Sequence, residues 1–159
     1  MGSIRIEAVS FAYADSAASK NGNAHNVIED LSLVVPSGQF LCVIGHSGGG
    51  KSTLLRLIAG LSQPSAGRIM IDGKEVHEPG MDRAIVFQDY SLFPWMRVKD
   101  NVEFGIEQAN RKLGRGLSKC AISDLADEYL SSVSMTEAQD KYPYQLSGGM
   151  QQRVAIARA

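Results

Sequence analysis

The sequence has little cysteine, no excess of charge and no long apolar run, and each shortage excludes a class of protein. The two cysteines, Cys42 and Cys120, lie far apart without metal-ligand spacing, which excludes a disulfide framework and predicts reduced, buried thiols. Sixteen basic against 17 acidic residues give a net charge of -1, which argues against nucleic acid as the main partner. The N-terminal residues lack a signal peptide and a myristoylation motif, and no apolar stretch is long enough to span a bilayer. Attachment to a membrane would therefore depend on other chains.

The first 40 residues carry the pattern of antiparallel strands. Apolar residues nearly alternate with polar ones from Ile4 to Phe11, and the segment ends at Tyr13, which predicts a half-buried strand. A polar loop is predicted from Asp15 to Asn26, because it contains almost nothing to bury. Leu31 to Val35 resumes the strand pattern before the turn residues 36–38.

Two later runs have no polar alternation and predict strands covered on both faces, as in a parallel sheet. They are Phe40 to Ile44 and Ala84 to Phe87. Between them, Ser52 to Ala59 predicts a buried helix that ends at Gly60, and Arg68 to Ile71 predicts a strand closed by the turn pair Asp72-Gly73. Helical patterns dominate from Val98 to Val133, with predicted core-facing residues at Leu125, Tyr129, Leu130 and Val133.

A glycine-rich loop stands between the first of these runs and the predicted helix. It fits the P-loop pattern G-x-x-x-x-G-K-[ST], in which backbone N–H groups and a helix N-terminus face phosphate oxygens. Lys51 can reach the β- and γ-phosphates, and the Ser52 hydroxyl can ligate Mg²⁺. The loop reads Gly45-His46-Ser47-Gly48-Gly49-Gly50-Lys51-Ser52.

The same loop also satisfies a competing pattern. Residues 45–49 match G-x-S-x-G, the nucleophile elbow of serine hydrolases, with Ser47 as nucleophile. That alternative needs an acid and a later histidine, yet the histidine that follows Ser47 is His77, in a short polar stretch beside a predicted turn. It also leaves Lys51 without a role, so the phosphate loop is the preferred interpretation.

A second glycine-containing turn opens onto a helix-like segment near the end of the chain. Paired with the phosphate loop, this stretch closely resembles the signature of the ABC ATPase family, whose members share an α/β P-loop NTPase fold. The stretch runs from Leu146 to Ala159 and reads LSGGMQQRVAIARA.

The resemblance covers essentially the whole chain and implies ATP and Mg²⁺ as ligands. Gln88 is similar to the family's Q-loop glutamine, which contacts Mg²⁺ and the attacking water, and Tyr13 is placed like the aromatic residue that stacks on adenine. Thr53, directly after the P-loop, belongs to the implied nucleotide site. In the family, two subunits pair head to tail, and the signature of one contacts the nucleotide of the other. The implied signature contacts are Leu146, Ser147, Gly148, Gly149, Met150 and Gln151.

The stretch from Phe87 to Met96 is similar to importers of the nitrate, sulfonate and taurine type. The resemblance implies a peripheral subunit on the inner, cytoplasmic face of the plasma membrane. Its partners would be a second ABC subunit, permease subunits contacted near Gln88–Met96, with Trp95 as an anchor, and indirectly a solute-binding protein. An alternative that does not exclude this one is that Leu92, Phe93 and Trp95 fill the helical subdomain itself. A soluble ABC protein of DNA repair or translation is an alternative that would need a basic surface or insertions not visible in the sequence.

The resemblance also predicts how the chain is divided and what it lacks. Residues 1–44 correspond to the antiparallel β subdomain and P-loop strand, 45–88 run from the P-loop to the Q-loop, 89–145 form the helical subdomain, and 146–159 begin the signature helix. The family's Asp-Glu strand and switch histidine have no counterpart in the sequence, whose last residues predict a helix interior. The sequence-based expectation is a C-terminally truncated subunit that binds nucleotide but does not hydrolyse it.

Overall fold

The computed structural model describes residues 2–13 and 26–159. These residues form two units with their boundary between Ala84 and Ile85, and each unit has its own hydrophobic core. Apart from Asn26, the predicted polar loop from Asp15 to Asn26 lies outside the described residues.

The described residues of the first unit form a four-stranded antiparallel sheet and one helix. Its strands are β1 (Ile4–Ala12), β2 (Asn26–Val35), β3 (Ala66–Ile71) and the short β4 (Lys74–Glu75), in the order β2-β1-β3-β4. Helix α1 spans Lys51–Ile58. The strands predicted at the start of the chain, the hairpin at residues 72 and 73 and the helix after the glycine loop are all confirmed.

A bulge in β1 changes which of its side chains face the core. The register with β2 shifts between Ile6 and Val9, and Ala8 between them has a φ of 48° and donates its N–H to the Ser32 hydroxyl. Val9 and Phe11 therefore follow Ile6 into the core, whereas strict alternation had placed Ala8 there. Leu54 and Leu57 of α1 join them, and each such buried side chain contributes about 1.5–3 kcal/mol to folding.

The two continuous apolar runs do not form the predicted buried strands. Phe40 is 95% exposed and Ile44 is 89% exposed, and residues 39–44 have no regular secondary structure. The run from Ala84 to Phe87 is also irregular and mostly exposed. A buried strand needs a hydrogen-bonding neighbour and a covering layer, and within the described residues neither run has a paired strand.

The second unit is helical. It contains α2 (Val98–Leu113), α3 (Lys119–Ser132) and α4 (Gly148–Arg158), with short 3-10 turns at Thr136–Ala138 and Pro143–Gln145. None of the described helices is long and apolar enough to cross a bilayer. The core of the unit comprises Val98, Val102, Ile106, Ile122, Ala126, Leu130, Met135, Ala138, Leu146 and Val154.

The predicted core face of α3 is partly wrong. Leu130 is buried and Leu125 and Val133 pack at the edge of the core, but Tyr129 is 41% exposed. The buried residues of α3 are Ile122, Ala126 and Leu130, spaced four apart. This stripe is rotated away from Tyr129, and an apolar ring with a polar hydroxyl tolerates the boundary between core and water.

Both cysteines are exposed, which corrects the expectation that they are buried. Cys42 lies in the irregular apolar run of the first unit. Cys120 lies in the first turn of α3, where its Sγ is 3.7 Å from an Asp124 carboxylate oxygen. Apolar burial, the usual environment of a free thiol, is absent at both described positions.

Candidate functional site

The glycine loop folds onto the N-terminus of α1 in a conformation that glycine makes possible. Gly49 donates its N–H to the His46 carbonyl oxygen over 3.2 Å, which closes a turn. Gly50, the residue that caps α1, has a left-handed φ of 77°, and a Cβ there would lie 3.0 Å from the Val27 carbonyl oxygen. Any L side chain at Gly50 would be strained by its backbone and crowded by β2.

Among the described residues, none caps the N-terminus of α1 with its side chain, and no acidic residue lies in the first turn. Gly50 cannot supply a capping oxygen. The unpaired N–H groups of a first helical turn, together with the helix dipole, favour an anion at this end. The end of α1 is therefore suited to a phosphate group.

Lys51 places its ammonium group over the loop that precedes it. Its Nζ donates to the carbonyl oxygens of Gly45, at 2.9 Å, and of His46, at 2.6 Å. These contacts hold a positive charge beside the helix N-terminus. A phosphate oxygen would compete with the two carbonyls, because a charged acceptor forms the stronger hydrogen bond with an ammonium group.

Tyr13 and Thr53, both predicted nucleotide contacts, are brought together in the first unit. The Tyr13 hydroxyl and Thr53 Oγ1 are 3.0 Å apart, and the Tyr13 ring stands at 89° to that of Phe11 with centroids 4.9 Å apart. Thr53 is 6% exposed, whereas Tyr13 is 47% exposed. The ring is thus anchored at two points and still offers surface to a ligand.

The geometry does not favour the serine hydrolase alternative. The Nδ1 of His46 pairs with the carbonyl oxygen of Ser47 at 2.9 Å, not with its hydroxyl. His77, the later histidine, lies 4.0 Å from the Glu75 carboxylate. In the described parts of the chain, no hydrogen bond joins either imidazole to the Ser47 hydroxyl, so the nucleophile lacks the base that its activation requires.

In the second unit, exposed Gln88 precedes a strained turn. Tyr90 and Ser91 have left-handed φ values of 60° and 46°, which cost about 1–2 kcal/mol per non-glycine residue. The Arg158 guanidinium donates to the Ser91 carbonyl at 2.7 Å and to the Tyr90 carbonyl at 3.4 Å. Burial lowers the pKa of Arg158 from its ordinary value. The last residue of α4 thus holds the turn that follows Gln88.

A buried asparagine organises the aromatic segment after this turn. Asn101 is fully buried; its Oδ1 accepts the Phe93 N–H at 2.9 Å, and its Nδ2 lies 3.0–3.2 Å from the carbonyls of Phe93, Met96 and Arg97. Trp95 remains 71% exposed at the tip of this segment, 5.5 Å from the Phe93 ring. The segment therefore presents an exposed indole on a hydrogen-bonded support.

The second glycine turn forms the N-terminus of α4. The Ser147 hydroxyl caps this helix by accepting the Met150 N–H at 3.4 Å, and the Gln151 side chain donates to the carbonyls of Pro143 and Leu146. Leu146 is buried, while residues 147–149 are exposed. A Cβ on Gly148 would lie 3.0 Å from the Tyr90 hydroxyl oxygen, so the two segments touch at a position that favours glycine.

The described residues contain no group of three or more His, Cys, Asp or Glu side chains that could hold a metal ion. The predicted metal contacts, Ser52 and Gln88, are exposed oxygen donors of the kind that Mg²⁺ accepts. A Mg²⁺ ion at either residue would therefore take most of its ligands from phosphate oxygens and water.

Sequence reasoning missed three residues: Asn101, Arg158 and Tyr90. The hydrophobic pattern of the sequence does not reveal a buried asparagine, or an arginine that hydrogen-bonds to a strained turn. Both roles depend on backbone carbonyl and N–H groups that lie several residues or more away in the chain. The signal available was modest: a polar residue between Val98 and Val102, on the apolar side of a predicted helix.

Known proteins share both the sequence pattern and the fold. The pattern of the ABC transporter family matches residues 28–159. A nitrate import ATP-binding protein of Synechococcus elongatus is 52% identical over 132 residues, which cover 83% of this chain and 47% of that protein. A bicarbonate transport ATP-binding protein of the same organism is 46% identical over 135 residues, which cover 85% of this chain and 47% of that protein.

A solved structure extends the likeness to three dimensions. A dimeric ATP-binding cassette, in a post-hydrolysis state with ADP and phosphate, aligns with a TM-score of 0.80 and 29% identity over 98% of this chain and 68% of its own. The chain spans about half the length of the curated relatives it matches. With the phosphate loop and signature turn in place, these matches show that the chain belongs to the ABC transporter family and is similar to the ATP-binding subunits of nitrate and bicarbonate importers.

Proposed function

We propose that this chain is part of the ATP-binding subunit of an ABC importer and that it binds MgATP at the glycine loop. The observation that carries the proposal is the loop itself: an uncapped helix N-terminus, a left-handed Gly50 and the Lys51 ammonium converge on one small volume. Backbone N–H groups and one ammonium suit the β- and γ-phosphates of a nucleoside triphosphate.

The remaining nucleotide contacts are proposed from the residues of each unit. Ser52 would offer its hydroxyl to Mg²⁺, and Tyr13 would offer its exposed ring to the base. Gln88 would help to position the attacking water and the metal. Mg²⁺ would neutralise charge on the phosphates, and its remaining ligands would come from the nucleotide and water.

A second subunit would complete the site. Residues 147–149 are exposed and lie at the N-terminus of α4, the helix end that attracts anions. The solved relative is a dimer bound to ADP and phosphate, which supports a pair of subunits in which this turn meets the partner's nucleotide. ATP hydrolysis is proposed for the whole subunit, of which this chain matches about half the length.

The importer assignment draws support from the relatives, which are named for nitrate and bicarbonate transport. The segment from Gln88 to Met96, with Trp95 exposed, would contact a permease subunit at the inner face of the membrane. A solute-binding protein would act through that permease. An exposed aromatic anchor on a fixed support is typical of a protein interface.

Nucleotide binding is tested by calorimetric titration of the chain with MgATP. We expect Lys51→Ala to weaken binding at least tenfold, because it removes the cation beside the phosphates. Lys74→Ala, at an exposed position of β4, is the matched control and should bind like the wild type. Equal affinities of a folded Lys51→Ala variant and the wild type would contradict the proposal.

A further inference from the structure

We infer that the connection between α2 and α3 is a docking surface for anionic lipid headgroups. This surface, here called the basic tip, consists of Arg111, Lys112, Leu113, Arg115 and Lys119. It lies outside the proposed nucleotide site. It rests on the proposed function only in that an importer subunit would work beside a membrane, whose cytoplasmic leaflet is anionic.

The basic tip concentrates positive charge. No acidic residue occurs between Glu107 and Asp124, although the chain as a whole has a net charge of -1. All four cationic residues of the tip are exposed. In the part of the chain that the structure describes, none of them forms an ion pair with an acidic side chain. Their charges are therefore available to an anion outside the chain.

The two helices account for two of these cations but not for the other two. Arg111 and Lys112 lie in the last turn of α2, where a cation interacts favourably with the negative end of the helix dipole. Lys119 is the first residue of α3, where a cation faces the positive end of the dipole. Arg115 lies between the helices. Because local folding does not explain Arg115 and Lys119, a binding role is the better account of them.

An exposed leucine among the cations favours a lipid surface over other polyanions. Leu113, the last residue of α2, is 48% exposed and follows Lys112 directly. Binding at a membrane interface combines attraction between charges with burial of apolar side chains among the headgroups. Single-stranded nucleic acid is bound on aromatic side chains, and residues 108–123 contain none. The composition of the basic tip therefore suits an anionic bilayer.

The expected affinity is modest. Each Lys or Arg close to an anionic leaflet raises the partition coefficient about fivefold, so four raise it on the order of several hundredfold. The attraction falls off within about 8 Å at physiological ionic strength. Since α2 is about 24 Å long, the basic tip and the Trp95 segment before α2 reach one bilayer surface only if α2 lies along it. Binding of this strength would orient a subunit that a permease already holds.

The test is co-sedimentation of the chain with vesicles of phosphatidylcholine, alone or mixed with phosphatidylglycerol. The double variant Arg115→Gln with Lys119→Gln removes the two unexplained cations. Lys74→Gln with Lys141→Gln is the matched control, because it changes the net charge equally at exposed positions elsewhere. We expect the first variant to bind mixed vesicles at least about tenfold more weakly, the control to change less than about twofold, and the wild type not to bind phosphatidylcholine alone.

Leu113→Ser distinguishes a bilayer from an acidic protein. It should weaken binding to mixed vesicles about threefold to tenfold and leave binding to soluble poly-glutamate unchanged, because only the bilayer offers an apolar layer. A fluorophore on Cys120, in a Cys42→Ser background, should shift its emission to shorter wavelength on mixed vesicles. If Leu113→Ser has no effect on vesicle binding and poly-glutamate binds as tightly as the vesicles, the lipid assignment is overturned in favour of an acidic protein partner.

Two other results would also overturn the inference. One is equal loss of vesicle binding in the two double variants, because overall charge would then explain it. The other is absence of wild-type binding to mixed vesicles. Should the variant with Lys119→Gln not fold, as judged by circular dichroism, Arg115→Gln alone decides: a loss of about threefold or more supports the basic tip, and unchanged binding contradicts it.

Failure of the proposed function has a different signature. Nucleotide binding is measured with MgATP and Lys51→Ala, a residue outside the basic tip. If MgATP does not bind but mixed vesicles do, the basic tip stands and the nucleotide site fails. If MgATP binds and vesicles do not, only the basic tip is lost.

Discussion

Removal of the Asn101 side chain should loosen the aromatic segment that presents Trp95. Its Nδ2 lies within 3.2 Å of three carbonyl oxygens but carries two hydrogens, so at most two of those bonds form at once. With the bond accepted from Phe93 N–H, three hydrogen bonds are lost in Asn101→Ala. At about 1 kcal/mol each, and with partial replacement by water, the variant should lose about 2–4 kcal/mol of unfolding free energy.

This loss is measurable because the chain has a single tryptophan, which lies in the affected segment. Urea unfolding is followed by Trp95 fluorescence and, in parallel, by far-UV circular dichroism. With a slope of about 2 kcal/mol per molar urea, a loss of 3 kcal/mol lowers the midpoint by about 1.5 M. Gln152→Ala removes an exposed amide from α4 and should stay within about 0.5 kcal/mol of the wild type.

Equal urea midpoints for Asn101→Ala and Gln152→Ala, together with an unchanged Trp95 emission spectrum, would contradict the supporting role of Asn101. Asn101→Asp adds a second comparison. It keeps the acceptor for Phe93 N–H but directs a carboxylate at carbonyl oxygens, so it should be at least as destabilising as Asn101→Ala at neutral pH. A neutral effect of Asn101→Asp would contradict the proposed donor role of Nδ2.

Gly50→Ala should cost more stability than Gly38→Ala by about 1 kcal/mol or more in urea unfolding, because both have a left-handed φ but a Cβ meets a carbonyl oxygen only at Gly50; equal losses would count against that contact. The hydrogen bond to Asp127 raises the pKa of Lys99 above its ordinary value of 10.5. This interaction stabilises the folded state by up to about 1 kcal/mol; the stabilisation is fully present below pH 10.5 and is lost as the pH rises through the higher pKa of the folded state. The stability difference between the wild type and Lys99→Met should therefore shrink in strong alkali, and a constant difference would disprove it. Both cysteines are exposed, so the native chain should react rapidly with two equivalents of a small disulfide reagent; a slow second equivalent would contradict their exposure.

The sequence predicted those parts of the fold that depend on neighbouring residues. The phosphate loop and α1 follow from glycine and helix signals close together in the chain, and the strands β1 and β2 follow from the local strand pattern. The family assignment, made from the loop and the signature together, is confirmed by the family pattern and by the relatives. The roles given to individual residues at the nucleotide stay predictions.

The errors share a physical cause: burial depends on what the rest of the chain brings alongside. The run from Phe40 to Ile44 has the composition of a core strand, yet no described strand pairs with it and its side chains are exposed. Tyr129 has the right spacing for the core of α3 but lies just outside the stripe formed by Ile122, Ala126 and Leu130. The spacing of apolar residues indicates a helix, but the face of the helix that is buried depends on how it packs against its neighbours.

The contacts of α4 with the strained turn limit how this helix can move. The Tyr90 side chain lies against Gly148, the first residue of α4. The guanidinium of Arg158, the last residue of α4, donates hydrogen bonds to the carbonyl oxygens of the turn. The helix is about 16 Å long, so its two attachments are well separated. Because α4 contacts the same turn near both of its ends, rotation of the helix about one end would disrupt the contact at the other end. We therefore expect a displacement of the turn to shift both ends of α4, Ser147 as well as Arg158.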